Sequence, residues 1–182
     1  RDEVYEDLIS KACLEISFDF PMKQKSLKSD LWGWQYYPVT IKAEEDSSGK
    51  ISMVLKVDYE YSSTCPCSLS MAKQYEEDYR LGKTTEGNGI ATAHSQRSRA
   101  SVSVHYDYES EVGIEKVIAL LRKALPTATQ SMVKRRDEQA FAILNGENPM
   151  FVEHASRRLS AVLDSIKDIY YWEAKVEHFE SL

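Results

Sequence analysis

The chain has 182 residues, of which 42% are hydrophobic and 29% are charged. This is the composition of a globular protein with a sizeable core. The formal net charge of −6 argues against a nucleic-acid-binding face, which would be basic. It leaves room for a small phosphorylated ligand held by a few local Arg and Lys residues. No apolar run approaches the ~20 residues of a membrane helix, so we expect neither a nucleic-acid partner nor a membrane.

The cysteines indicate the compartment. Cys13, Cys65 and Cys67 are an odd and sparse set, which is not a disulfide framework. A reducing cytoplasm is therefore the expected location. No signal peptide opens the chain, which starts at Arg1 rather than at Met. We expect a fragment of a longer protein, so that a targeting segment is not in view.

Hydrophobic periodicity predicts the elements of the first third of the chain. Residues 3–13 place apolar side chains at helical spacing and predict a short amphipathic helix. From Leu14 to Phe20 the period changes to two, which predicts a strand. The alternating runs 34–44 and 51–61 predict two more strands, joined as an antiparallel hairpin by a Gly-containing turn.

The remaining elements are mainly helical. A short helix over 69–78, capped by Ser68, precedes a Gly- and Thr-rich loop over 80–92. A strand is predicted over 98–108. Three helices and a closing strand follow, over 113–125, 136–145, 149–167 and 169–179. The order of elements predicts an α+β fold, with an antiparallel sheet and helices on one side.

Cys65 is the first residue with a chemical signal. It lies in the corner Thr64-Cys65-Pro66-Cys67-Ser68, where a strand ends and a helix begins. A cysteine in this position tends to be available as a thiolate. The alternative is a small buried apolar side chain.

His94 and three glutamates are further candidates, each with an ordinary structural alternative. His94 ends the Gly-rich loop beside Arg97 and is either a ligand or a solvated loop residue. Glu138 suits the start of a helix because of the macrodipole. Glu153 borders an apolar stripe, and Glu180 has no local signal. The other histidines, His105, His154 and His178, are interpreted as strand or surface residues.

One Cys, one His and one carboxylate form a credible catalytic zinc site with an open position for water. Such a metal lowers the pKa of bound water to about 7. The ligands of such a set, Cys65, His94 and Glu138, are separated by long gaps. Spacing alone therefore does not decide between the ligand and structural interpretations.

A resemblance to a known family favours the ligand interpretation. It rests on five strings that occur in order: Cys65-Pro66-Cys67-Ser68, Ala93-His94-Ser95-Gln96-Arg97-Ser98, Lys134-Arg135-Arg136-Asp137-Glu138, Glu147-Asn148-Pro149-Met150-Phe151-Val152-Glu153 and Phe179-Glu180-Ser181-Leu182. Together they resemble the type IB GTP cyclohydrolase I family. The likeness is specific over residues 60–182 and looser over 1–59.

The resemblance implies a fold and a reaction. The family has tunnelling-fold modules fused in tandem, which implies two modules here, roughly residues 1–90 and 91–182, within one compact unit. The family's N-terminal strand and C-terminal tail are not in view. Subunits associate into a homotetramer with sites at their interfaces. The implied reaction is hydrolysis of GTP to formate and 7,8-dihydroneopterin triphosphate, the first step of folate or related pterin synthesis.

The resemblance also implies roles for individual residues. Cys65, His94 and Glu138 match the ligands of one divalent metal, for which zinc is expected and manganese or iron are alternatives. Glu153 matches the acid that binds guanine. Glu180 matches an acid near the reacting imidazole, followed in the family by a histidine that lies beyond Leu182.

The remaining roles follow from chemistry. Cys67 is expected to orient the site without binding the metal. Arg97 is expected to bind substrate, and Arg99, Arg135 and Arg136 are further candidates for the triphosphate.

Two kinds of alternative remain at this stage. One is another enzyme with the same fold, either an archaeal-type cyclohydrolase giving a cyclic phosphate or a nitrile reductase. The latter would use a cysteine nucleophile and a nicotinamide cofactor, and its Glu-Ser-Lys signature is absent from the chain. The other is a non-catalytic purine-binding module in which Cys65 and Cys67 are structural.

Overall fold

The computed structural model describes residues 11–180. In this range the chain forms five strands and four helices. The strands are β1 (Lys11–Lys25), β2 (Trp32–Asp46), β3 (Ile51–Thr64), β4 (Ser95–Asp107) and β5 (Tyr171–His178). The helices are α1 (Pro66–Arg80), α2 (Ile114–Ala124), α3 (Arg135–Glu147) and α4 (Val152–Leu163).

The strands form one sheet in the order β1-β2-β3-β4-β5, and every neighbouring pair is antiparallel. The predicted α+β class and antiparallel sheet are thus confirmed. The predicted hairpin is present as the β2–β3 pair, which turns at Gly49 with a φ of 80°. Among the described residues, no helix is long and apolar enough to cross a membrane.

The core lies on one face of the sheet, as the period-two pattern predicted. Side chains that alternate along the strands, such as Tyr37, Leu55 and Val102, are at most 2% exposed. The apolar stripes of α2 and α4 pack onto them, with Leu121 and Leu159 fully buried. Removal of this apolar surface from water is the main contribution to stability.

The segment that leads into α3 takes the place of β2 beside β3 at one end of the sheet. β2 pairs with β3 only over residues 39–45 and 51–57. Beyond this point the chain around Ala128 lies along β3 in place of β2. The Ser62 amide donates to the carbonyl of Thr127 (2.8 Å), and the Thr129 amide donates to that of Glu60 (3.3 Å). This pairing brings the start of α3 to the end of β3.

Two predicted element boundaries are wrong at the N-terminal part of the sheet. Residues 1–10 of the predicted helix 3–13 lie outside the described part of the chain, but residues 11–13 belong to β1. The predicted strand end at Phe20 is also wrong, since β1 continues through Pro21 to Lys25. Proline is tolerated there because β1 is an edge strand, which within residues 11–180 pairs only with β2.

Two helix starts also differ from the prediction. Helix α1 begins at Pro66 with Cys65 as its N-cap residue, rather than at residue 69 with Ser68 as the cap. Proline favours the first turn because its fixed φ suits a helix and its missing N–H would be unpaired there. Helix α4 begins at Val152, three residues later than predicted. The Met150 amide donates to the carbonyl of Thr64 (3.0 Å), which ties the preceding segment to the sheet.

Leu121 provides a test of this packing. Because its side chain is fully buried between α2 and the sheet, Leu121→Ala is expected to lower the free energy of unfolding by about 2–5 kcal/mol. The matched control is Met71→Ala on α1, where the side chain is 68% exposed and a change below about 0.5 kcal/mol is expected. Urea denaturation measures both, and equal effects would contradict this description of the core.

Candidate active site

Cys65 and His94 lie side by side at one end of the sheet. The β3–β4 ladder ends at the pair Thr64 and Ser95, whose hydroxyl groups are hydrogen-bonded (2.7 Å). One step further, the Cys65 amide donates to the carbonyl of His94 at 3.3 Å. The His94 amide in turn donates to Ser68 Oγ (3.1 Å) on the first turns of α1. These contacts fix two residues that are far apart in sequence as neighbours.

The His94 ring has a defined orientation. Its Nδ1 lies 3.0 Å from Gln96 Oε1, while Gln96 Nε2 donates to the buried Ser63 Oγ (2.8 Å). Because the Gln96 amide nitrogen is used in this way, its oxygen accepts from Nδ1–H. The imidazole is then in the tautomer whose Nε2 lone pair is free. This lone pair is suitable for a metal ion.

A cavity of about 670 Å³ lies beside this strand end and is called here the α3 cavity. Its strand residues, among them Thr64 and Arg97, alternate with those that point into the core. Its helical wall is formed by one face of α3, including Glu138 and Asn145. The exposed Arg97 guanidinium shares the Glu60 carboxylate with Arg99, at 3.2 and 3.1 Å respectively. A ligand in this cavity would therefore meet an arginine that is already held in place.

Asp137 fixes the start of α3. Its fully buried side chain accepts hydrogen bonds from the amides of Lys28 (2.7 Å), Ser29 (2.9 Å) and Lys134 (2.8 Å). The Ser29 hydroxyl is a fourth donor. Burial raises the pKa of Asp137, but the donors from Ser29, Lys134 and Lys28 outweigh it and hold the pKa well below its usual range. The β1–β2 loop is thereby tied to the helix turn that carries Glu138.

A second cavity of about 330 Å³, called here the β5 cavity, is lined by Cys65, Met150, Phe151, Val152, Glu153, His178 and Glu180. The hydrogen bond from Met150 to β3 places the start of α4 there. The Phe179 amide donates to the carbonyl of Arg97 (3.1 Å), which places the end of β5. One thiol, one imidazole and two carboxylates thus share a small volume.

His178 is the residue of this cavity that sequence reasoning missed. It was interpreted as a surface residue because its neighbours Glu177 and Glu180 are charged. It is half-buried, and its Nε2 lies 2.9 Å from the Tyr61 hydroxyl. Burial lowers the pKa of His178, and the nearby carboxylates of Glu180 and Glu153 only partly oppose this shift. The one available sequence signal was its place two residues after Val176, in phase with the alternation of Trp172, Ala174 and Val176.

The structure divides the predicted site residues between two cavities. Cys65, Glu153 and Glu180 share the β5 cavity, whereas Arg97 and Glu138 share the α3 cavity. His94 is paired through its backbone with Cys65, and its neighbours Ala93 and Ser95 line the α3 cavity. Cys67 is exposed in the first turn of α1. Within residues 11–180, no three His, Cys, Asp or Glu side chains lie close enough together to hold a metal ion. The three-residue ligand set therefore stays a prediction.

Comparison with known proteins shows the family. A sequence profile described as Type I GTP cyclohydrolase folE2 matches residues 2–182. The chain therefore belongs to the type I GTP cyclohydrolase FolE2 family, which confirms the family suggested by the five sequence strings.

Curated relatives agree with this result. A protein named GTP cyclohydrolase FolE2 from Pseudoalteromonas translucida (strain TAC 125) is 39% identical over 195 residues, covering 98% of this chain and 64% of the relative. Proteins of the same name from Cereibacter sphaeroides (strain ATCC 17029 / ATH 2.4.9) and Roseobacter denitrificans (strain ATCC 33942 / OCh 114) are each 42% identical. These alignments cover 94% and 100% of this chain, but only 45% and 47% of the relatives. The chain thus spans about half to two thirds of the length of these relatives.

Asp137→Asn tests how the α3 wall is held. The amide replaces one accepting oxygen with a donor that would face backbone N–H groups, so buried donors lose their partner. We expect the melting temperature to fall by about 5 °C. Asp30→Asn, at an exposed loop position that pairs with Lys25, is the matched control and should shift it by about 1 °C or less. Calorimetry of both variants decides, and an unchanged melting temperature for Asp137→Asn would count against the proposed link.

Proposed function

We propose that this chain is part of an enzyme that hydrolyses GTP to formate and 7,8-dihydroneopterin triphosphate, the first step of folate or related pterin synthesis. The observation that carries the proposal is the backbone pairing of Cys65, which lines the β5 cavity, with His94, whose neighbours Ala93 and Ser95 line the α3 cavity. Carboxylates line both cavities. Family membership supports a GTP cyclohydrolase activity, and the relatives are named GTP cyclohydrolase FolE2.

Glu153 is the proposed anchor of the purine. The guanine edge presents an N1–H and an exocyclic amino group side by side, and one carboxylate can accept both as a bidentate, charge-assisted pair. Adenine lacks this pair of donors and would leave the carboxylate without partners. Phe151 lies beside Glu153 in the β5 cavity and offers an apolar contact for the base.

Glu180 is the proposed proton carrier. The hydrolytic steps of the reaction are addition of water at C8 of the purine, opening of the imidazole ring to a formamide, and hydrolysis of this formamide by a second water to release C8 as formate. Protons must move to the ring nitrogens as their bonds to C8 break. Glu180 shares the β5 cavity with Glu153, so a base bound by one carboxylate is within the same small volume as the other.

We further propose that Cys65, His94 and Glu138 bind one divalent metal, with zinc expected and manganese or iron as alternatives. Thiolate, imidazole and carboxylate are ligands that zinc accepts. The free Nε2 of His94 and the thiol of Cys65, whose backbone is paired with that of His94, are of the type this role requires. Glu138 lies apart from them on the wall of the α3 cavity and has an exposed side chain. When bound, the metal lowers the pKa of water and makes a nucleophile available at neutral pH.

The triphosphate is assigned to Arg97. Its guanidinium is exposed, lines the α3 cavity, and is oriented by Glu60. Arginine binds phosphate oxygens through a planar set of donors. Arg99 shares the same carboxylate, so a phosphate that displaces Glu60 would meet two guanidinium groups.

The assembly is also a proposal. We infer a tandem tunnelling fold with modules of roughly residues 1–90 and 91–182, and a homotetramer with sites at subunit interfaces. Support comes from the apolar side chains of β1, where Leu14 and Ile16 are 60% and 51% exposed on the core face of the sheet. Such a patch usually marks a contact surface. Since all three cysteines are free thiols, we propose a cytoplasmic location.

The first test is formate release from GTP by the full-length protein, before and after chelation. Activity should disappear with the chelator and return with an added divalent metal. Cys65→Ala and His94→Ala are expected to abolish turnover and to lower the metal content measured by mass spectrometry. Cys13→Ala, which changes an exposed cysteine on β1, should leave both largely intact. Full activity of the Cys65 or His94 variant would reject the site.

Glu153→Gln tests the guanine anchor separately from the metal. A glutamine cannot accept both guanine donors and places its own amide N–H against one of them. We expect kcat/KM for GTP to fall at least about a hundredfold, with metal content unchanged. Glu147→Gln, at an exposed position at the end of α3, is the control and should match the unmodified protein. If Glu153→Gln keeps full turnover, the purine is bound elsewhere.

A further inference from the structure

His178 is placed to act on a ligand in the β5 cavity. It lines this cavity together with Cys65, Glu153 and Glu180. Its ring lies edge-on to Tyr61, with centroids 5.8 Å apart. The hydrogen bond between Nε2 and the Tyr61 hydroxyl (2.9 Å) fixes the rotation of the ring. The other ring nitrogen, Nδ1, is therefore the one left for a ligand.

The position of the imidazole proton follows from Tyr61. This side chain is fully buried, and burial raises the pKa of the phenol, so the hydroxyl stays protonated. Among the described residues, its hydrogen-bond partner is His178. A buried O–H without an acceptor is costly, so the hydroxyl donates to Nε2. His178, whose pKa burial lowers, is then neutral and carries its proton on Nδ1.

The chemistry of guanine supplies an acceptor for this proton. On the base, the carbonyl oxygen O6 is adjacent to the N1–H that Glu153 is proposed to bind. The carboxylates of Glu153 and Glu180 are acceptors when ionised and cannot serve O6. Of the side chains that line the β5 cavity, His178 is the one with an N–H donor, and the Cys65 thiol is a weak donor at best.

We propose that His178 is a specificity-determining residue, which donates a hydrogen bond from Nδ1–H to O6 of the guanine base. The proposal rests on the proposed function of the site. Together Glu153 and His178 would recognise three neighbouring groups along the guanine edge: the acceptor O6, the donor N1–H and the donor 2-amino group. Adenine presents an amino group in place of O6, so it would direct a donor at the His178 donor. Selectivity would thus come from repulsion as well as from attraction.

The test compares GTP with 6-thio-GTP, which keeps the N1–H and 2-amino donors and replaces O6 with sulfur, a weak acceptor. Formate derives from C8, so both nucleotides can report through formate release. The full-length holoenzyme is expected to prefer GTP by about tenfold in kcat/KM. His178→Phe keeps an aromatic ring against Tyr61 but has no donor, and this preference should fall to about twofold or less.

Three further variants separate recognition from structure. His178→Gln retains an N–H donor and should keep part of the preference for GTP. Tyr61→Phe leaves the ring packing in place but frees the imidazole tautomer, so it should reduce the preference. His105→Phe changes a histidine of β4 that also lies edge-on to a tyrosine, Tyr171, but lines neither cavity, and it should behave as the unmodified enzyme.

The outcomes are distinct. If His178→Phe lowers kcat/KM for both nucleotides by the same factor, His178 does not contact O6 and the inference is overturned. If the unmodified protein releases no formate from GTP, the proposed function fails instead. In that case, the dissociation constants of GTP and 6-thio-GTP are measured for the unmodified protein and for His178→Phe. A preference for GTP that His178→Phe does not reduce would overturn the inference.

Discussion

The antiparallel pairing of β3 with β4 is the constraint on which the site depends. It runs along all 13 residues of β4, and its register sets what lies at its end. Because Thr64 is opposite Ser95, the next residues on either strand, Cys65 and His94, must be neighbours. A shift of the pairing register by one residue would move the core-facing side chains of a strand to the opposite face of the sheet. The buried Val57, Tyr59 and Val102 make such a shift very unfavourable, so the core also specifies the site.

The same alternation explains why the functional groups fall into two cavities. Residues of β3 and β4 that point away from the core, including Thr64 and Arg97, form the α3 cavity. His178, which is opposite Ser98 on the core side, lines the β5 cavity. Cys65 and His94 lie at the end of the ladder, where the alternation stops. Cys65 lines the β5 cavity, and Ala93 and Ser95 on either side of His94 line the α3 cavity. This backbone pair therefore links residues of both cavities.

Sequence patterns predicted the elements better than the site. Period-two runs such as Leu55 to Val57 and the stripe of α2 were enough to identify strands and a helix, because both depend on local spacing. Helix starts were less predictable. That of α4 depends on a hydrogen bond from Met150 to Thr64, far away in the chain.

The site was accessible to sequence reasoning mainly through its likeness to a family, and the reason is physical. Cys65 and His94 are adjacent only because of the ladder, and no local spacing reveals that. Asp137 had no signal in the sequence, because two of its donors, the amides of Lys28 and Ser29, come from the β1–β2 loop. His178 looked like a surface residue, and only the buried Tyr61 makes it a fixed one. Interactions between distant segments have no periodic signature.

The exposure of the three candidate carboxylates to water limits how strongly they can bind a ligand. Glu138, Glu153 and Glu180 are all exposed in this chain. At the dielectric constant of water, their attraction to a metal or to a base is weak, and it grows several-fold when water is excluded. A carboxylate that binds guanine selectively must be shielded, since water would otherwise replace the missing donors of a wrong base. The proposed binding of guanine therefore requires further protein over these cavities. The proposed subunit interface is one source of such cover, because the exposed apolar side chains of β1, such as Leu14 and Ile16, provide a contact surface.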